Sequence, residues 1–275
     1  MVNPVLEQLK YCTVLIENEE GRLGTGFLVN RIVSGTKSKV FLVTNKHVLG
    51  KKRELSTKVT LHFNAEEAGV IRAHVIVFNW RLEACPWREH PDKDTDVLAL
   101  EVTEILIKMP NLSFKFLDYS NFVDATILKN EEITMGEQVW VAGYPLGLKH
   151  QTTNFPLMRI AVISTNIGEK LDIATVESGV TRQRLNLRGF IIDGGASPGS
   201  SGSPIMSGAS PIRYSKDGSI ALGTGPVYLL GIVAEGRIAT VESERSDYLS
   251  LSGLSLAFDA DTIRETIELF FQGNA

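Results

Sequence analysis

Three short stretches of this 275-residue chain hold side chains that could together activate a hydroxyl. His47 lies in FLVTNKHVL, Asp96 in DTDVLALEV and Ser201 in SPGSSGSPI. A serine hydroxyl attacks a carbonyl well only when a base takes its proton, and a neutral imidazole is the usual base near neutral pH. A carboxylate accepting the other imidazole N–H fixes its tautomer. Base, carboxylate, nucleophile is one of the chain orders in which such sets occur. The chemistry these residues suit is nucleophilic acyl transfer.

The attacked carbonyl becomes an oxyanion, which needs fixed N–H donors. The string Pro198-Gly199-Ser200-Ser201-Gly202-Ser203-Pro204 could supply them from the N–H groups of Gly199 and Ser201. Glycine lets the backbone turn tightly and approach a ligand closely. Ser200 and Ser203 compete locally with Ser201 as the nucleophile. Asp92 and Asp94 are look-alikes of Asp96, but Asp96 alone abuts the apolar run. His62, His74, His90 and His150 lack a setting like that of His47.

These residues must be positioned by strands. YCTVLIE, TGFLVN, KVFLVT, KVTLHF, VIRAHVIVF and DVLALEV are rich in Val, Ile, Leu and Phe, and several alternate apolar with polar. Residues 104–135 are mixed and read as a connector. EQVWVAGYP, LMRIAVIS, GFIID, SPIM, VYLLGIVAE and LSLAF follow. Six strands, a connector and six more, without strand–helix alternation, predict an all-β chain of two six-stranded antiparallel β-barrels. The first barrel with its connector takes residues 1–135 and carries His47 and Asp96. The second takes 136–275 and carries Ser201. In FDADTIRETIELFF, Asp259 or Asp261 can cap a helix. Ile263, Ile267, Phe270 and Phe271 then form one apolar face, predicting a C-terminal helix against the second barrel.

Composition narrows the remaining classes. A net charge of −4 argues against broad nucleic-acid binding. No long apolar run predicts a membrane span, and the start MVNPVLEQLKYC has no leader pattern, so a cytoplasmic location is expected. Cys12 and Cys85 are too few for a disulfide scaffold and read as buried thiols. Zinc-type spacing, phosphate loops and dinucleotide fingerprints are missing, so neither a metal nor another cofactor is expected.

At these residues the chain resembles the trypsin-like serine proteases, most closely the protease domain of the HtrA (high-temperature-requirement) type. VTNKHVL is similar to that group's histidine motif, DVLALEV to its aspartate motif and IDGGASPGSSGSPI to its serine motif. GTGFLV, EQVWVAGYPLG and GLSLAFDADTI extend the likeness over roughly residues 20–270. Ser200 stands where the family usually has Asn or Asp, and Ser203 replaces its second glycine. No room for a PDZ domain is expected after the helix.

The resemblance implies a serine endopeptidase acting through His47, Asp96 and Ser201, with Gly199 and Ser201 as oxyanion donors. A polypeptide substrate would add as a strand along Val233-Ala234-Glu235-Gly236. The primary pocket would lie between that segment and Gly195-Ala196. With no acid at Gly195, a small or medium apolar side chain is expected before the cleaved bond. Glu235 could face the groove, and TRQRLNLR reads as a surface loop. An activating protein partner is a further expectation, because Gly/Ser-rich site loops permit ordering on demand. The alternative is a silent protein-binding module of the same fold.

Overall fold

The computed structural model describes residues 4–50, 58–79, 85–177, 180–194, 197–208, 212–214, 220–222, 226–241 and 248–272. It opens with helix α1 (Pro4–Cys12), followed by strands β1 (Thr13–Asn18), β2 (Leu23–Ser34), β3 (Lys37–Thr44), β4 (Lys58–Glu67), β5 (Val70–Asn79), β6 (Trp87–Glu89) and β7 (Leu98–Glu101). Helix α2 (Thr103–Ile107), the two-residue strands β8 (Leu112–Ser113) and β9 (Leu117–Asp118) and helix α3 (Ala125–Asn130) come next. The second half holds β10 (Gln138–Gly143), β11 (Leu157–Ile163), β12 (Lys170–Glu177), β13 (Val180–Asp193) and β14 (Pro204–Met206). It continues with β15 (Ile212–Tyr214), β16 (Ile220–Leu222), β17 (Leu229–Val241), β18 (Tyr248–Asp259) and helix α4 (Ala260–Glu268).

The all-β class with a terminal helix is what the fold shows. The first sheet runs β5-β4-β1-β2-β3-β7-β6, with β8 paired to β4 and β9 to β2. The second runs β11-β10-β14-β17-β18-β13 and closes on itself where Val162 and Ile163 meet Asp193 and Ile192. β12 hangs on β13 outside this ring. Both sheets turn aromatic and branched side chains inward. Phe27, Phe41, Phe122, Phe190, Phe258 and Tyr144 are fully buried among Leu, Ile and Val. Packing at this density makes each sheet a stiff mount for the loops at its ends. Among the described residues no helix is long and apolar enough to cross a membrane.

Three local readings change. The strand expected from Tyr11 starts at Thr13, because α1 runs through Cys12. Leu9 and Cys12, three residues apart, share the buried side of that helix. TRQRLNLR is not a loop; it lies in β13, where Arg188 pairs with Lys170 of β12. The last helix grips both sheets rather than the second alone. Asp259 caps it, accepting the Thr262 N–H at 3.0 Å. Its apolar face continues past the helix end, where the Phe270 and Phe271 rings lie 4.9 and 6.2 Å from that of Phe41 in the first sheet. Glu268 meets Arg31 of β2, and Glu265 meets both His90 and Arg188.

Candidate active site

β3 is buried over its last five residues and delivers the chain into a single turn, Lys46–Leu49, that presents His47. β7 is buried over Leu98–Leu100, so the chain just before it holds Asp96 at the mouth of the sheet. The Asp96 carboxylate accepts the His47 backbone N–H at 3.2 Å and contacts the ring at Nδ1. A proton on Nδ1 shared with a carboxylate leaves Nε2 as the basic nitrogen. Asn45 Nδ2 donates to the Asp96 carbonyl at 2.6 Å. Lys46 is 9% exposed, and its ammonium donates to the carbonyls of His90 at 2.9 Å and Asp92 at 3.0 Å. The histidine turn and the aspartate loop are thus tied together by the two residues that precede His47.

The serine loop is shaped by where its carbonyls go. The Ser200 N–H closes a four-residue turn on the Ser197 carbonyl at 3.0 Å. Pro198 sits at the second position and Gly199, with φ of 88°, at the third, which suits a type II turn. The Pro198 carbonyl accepts from Leu146 N–H at 2.6 Å, and the Gly199 carbonyl from Thr25 Oγ1 at 2.7 Å. The Ser201 carbonyl accepts from Thr25 N–H at 2.8 Å. Across a trans peptide the N–H points opposite the C=O. The Gly199 N–H is therefore turned away from Leu146, and neither it nor the Ser201 N–H meets an acceptor among the described residues. Two bare donors flank the Ser201 side chain, an arrangement able to bind an anion.

Glycine is required at Gly202. Its φ is 90°, and a Cβ there would stand 1.7 Å from the Thr25 carbonyl oxygen. That closeness presses the serine loop on β2, where Thr44, three residues before His47, also donates to the Thr25 carbonyl at 2.7 Å. The Ser201 hydroxyl itself donates to the Ala234 carbonyl at 2.7 Å. No hydrogen bond joins it to His47 among the described residues.

The pairing of β17 explains that contact. Its register to β18 shifts between Val233 and Glu235, leaving Ala234 out of the ladder. Val233 is not available to a substrate. It accepts from Gly202 N–H at 2.8 Å and donates to the Ser203 carbonyl at 2.9 Å, so its backbone is spent holding the serine loop. Any added strand has to start at Ala234. The backbone of Glu235 and Gly236 continues along β17, while the Glu235 side chain lies outside the described residues, as do Gly195 and Ala196.

Thr25, Lys46 and Arg159 were not singled out by the sequence reading. Arg159, on β11, donates from Nη2 to the Ser200 hydroxyl at 2.9 Å. Cys12 and Cys85 are buried thiols not joined in a disulfide, and burial pushes Cys12 up to about 12. Among the described residues no group of His, Cys, Asp or Glu is placed to hold a metal ion.

The model of the trypsin-like peptidase domain family matches residues 24–210. No curated protein matches in sequence. Among solved structures, the active form of the Rv3671c protease from M. tuberculosis is 17% identical, with a TM-score of 0.49, covering 96% of this chain and 83% of that one. An inactive form of the same protease is 18% identical, with a TM-score of 0.45, covering 97% and 92%.

Proposed function

The chain belongs to the trypsin-like peptidase domain family, and from that premise we propose that it is a serine endopeptidase in which Ser201 is the nucleophile, His47 the base and Asp96 its orienting carboxylate. The observation that carries this reading is the serine loop. The Pro198 and Ser200 carbonyls, which share peptides with the Gly199 and Ser201 N–H groups, are held by the Leu146 and Ser203 N–H groups, leaving those two donors bare among the described residues.

A peptide carbonyl entering between Gly199 N–H and Ser201 N–H meets donors already in place, so little reorganisation is needed as charge develops on oxygen. The Ala234 carbonyl, left out of the strand ladder, can accept the backbone N–H of the same substrate residue. Substrate seating there displaces the Ser201 hydroxyl, which then turns to His47. His47 Nε2 takes the proton as Ser201 Oγ bonds to the carbonyl carbon, and Asp96 stabilises the imidazolium. His47 returns the proton to the leaving amine as the peptide bond breaks and an acyl-enzyme forms. Water, activated by the same imidazole, hydrolyses that ester and frees Ser201.

The hydroxyl's resting place on Ala234 favours an enzyme completed by what binds it, a polypeptide substrate or an activating protein partner. The test is labelling by a fluorophosphonate, with the modified residue mapped by mass spectrometry, in the presence and absence of a denatured protein substrate. The expected adduct sits on Ser201 and is lost in His47→Ala. An adduct on Ser200 or Ser203, or none under either condition, overturns the assignment.

A further inference from the structure

β11 turns Arg159, Ala161 and Ile163 to one side, and Ala161 and Ile163 are buried in the second barrel. Arg159 is therefore an inward-facing residue at the barrel end that carries the serine loop. Among the described residues its buried Nε meets no acceptor, and its one hydrogen bond runs from Nη2 to Ser200 Oγ. Among the described residues no carboxylate neutralises it there, and burial draws its pKa below the ordinary value. A half-buried guanidinium without a counter-charge costs stability that an aliphatic side chain at the same site would not.

Ser200, at 1% exposure, is the hinge between the two bare donors. Its N–H closes the turn on Ser197, its carbonyl accepts from Ser203 N–H at 3.0 Å, and its hydroxyl is held by Arg159. Every polar group of Ser200 is thus tied, and the side-chain tie is the one that reaches across from another strand. We propose that Arg159 is a positioning residue that, acting through Ser200, holds the turn bearing the Gly199 and Ser201 N–H groups in its anion-binding shape. The inference rests on the hydrolase reading above and adds a determinant to it. It also explains why a serine suffices before the nucleophile, since the charge in the pair is supplied by the arginine. A carboxylate at position 200 would be accepted only while Arg159 is present.

The test is a double-mutant cycle of Arg159→Met and Ser200→Asp in the full chain, read by kcat and KM on a peptide the wild type cleaves and by the fluorophosphonate labelling rate. Arg159→Met is expected to lower kcat and labelling on the order of 100-fold with KM little changed, as loss of ordered oxyanion donors does. Arg159→Lys, which keeps the charge and one donor, is expected to recover most of that loss. Ser200→Asp alone is expected to lower kcat less than Arg159→Met does, because its carboxylate can pair with the guanidinium. In the Arg159→Met background it should cost at least about 10-fold more than the product of the single effects. A purely structural arginine would lower the melting temperature and leave the kcat of the folded protein alone. Wild-type cleavage with kcat unmoved by Arg159→Met, or purely multiplicative effects in the cycle, overturns the inference only. A wild type that neither cleaves nor labels removes the hydrolase reading and this inference with it.

Discussion

A single methyl group at residue 199 tests the oxyanion turn at its tightest point. A Cβ on Gly199 would stand 2.3 Å from the Tyr144 carbonyl oxygen, and the φ of 88° is one that residues with side chains rarely adopt. Gly199→Ala must move the turn and with it the Gly199 N–H. The expected result is a fall in kcat of about 10²- to 10³-fold with the fold retained by circular dichroism. Normal turnover by the variant would show that this N–H is not used. At this scale His47, Asp96 and Ser201 are legible because each sits in a local string with its own chemistry. Thr25, Lys46 and Arg159 are not, because their partners are remote. Thr25 meets Gly199, and Arg159 meets Ser200, across a fold that no spacing encodes. Lys46 is a basic residue beside a histidine in the sequence, and its bonds to the carbonyls of His90 and Asp92 appear only in the fold.

Among the elements, the terminal helix carries a pH signature. Burial raises the Asp259 carboxyl to about 6, against which its bond from the Thr262 N–H and the nearby Arg188 pull downward. The folded state therefore holds this proton more tightly than the unfolded chain. The associated stability is complete below the ordinary aspartate range and is lost as pH rises through about 6. Asp259→Asn keeps a capping oxygen and removes the titration. Calorimetric melting curves should show the variant gaining on the wild type as pH goes from 4 to 7, and parallel curves would contradict the assignment. The capping string and the apolar spacing were readable. The direction of packing was not, because Phe270 and Phe271 follow the last helical turn and reach Phe41 in the other sheet. The strands were legible wherever they line a core. Each of the twelve candidate runs overlaps a strand, although DVLALEV and EQVWVAGYP overrun both ends of theirs and the first strand begins two residues after Tyr11. The short β6, β8 and β9 offered too few residues for a period, and β12, paired only with β13 among the described residues, has no second neighbour to impose one.

Across the whole molecule, the proposed site depends on two sheets being fastened to each other. Thr25 of the first sheet receives the Tyr144 N–H at 3.2 Å and holds both Gly199 and Ser201. The fully buried Tyr144 donates its hydroxyl to the Asn154 carbonyl at 2.6 Å. Asn154 in turn donates from Nδ2 to Phe63 at 2.6 Å and His74 at 3.1 Å, on β4 and β5. Buried hydrogen bonds of this kind are expensive to break and fix one relative placement of the halves. That placement ties the sheet whose ends carry His47 and Asp96 to the loop that carries Ser201. The most direct measurement is the appearance of new peptide termini in a proteome-derived peptide pool, compared between wild type and Ser201→Ala. The account predicts discrete cleavage sites with the wild type and a loss on the order of 10⁶-fold in turnover in the variant. Cleavage by Ser201→Ala at the same sites and at a comparable rate would contradict it.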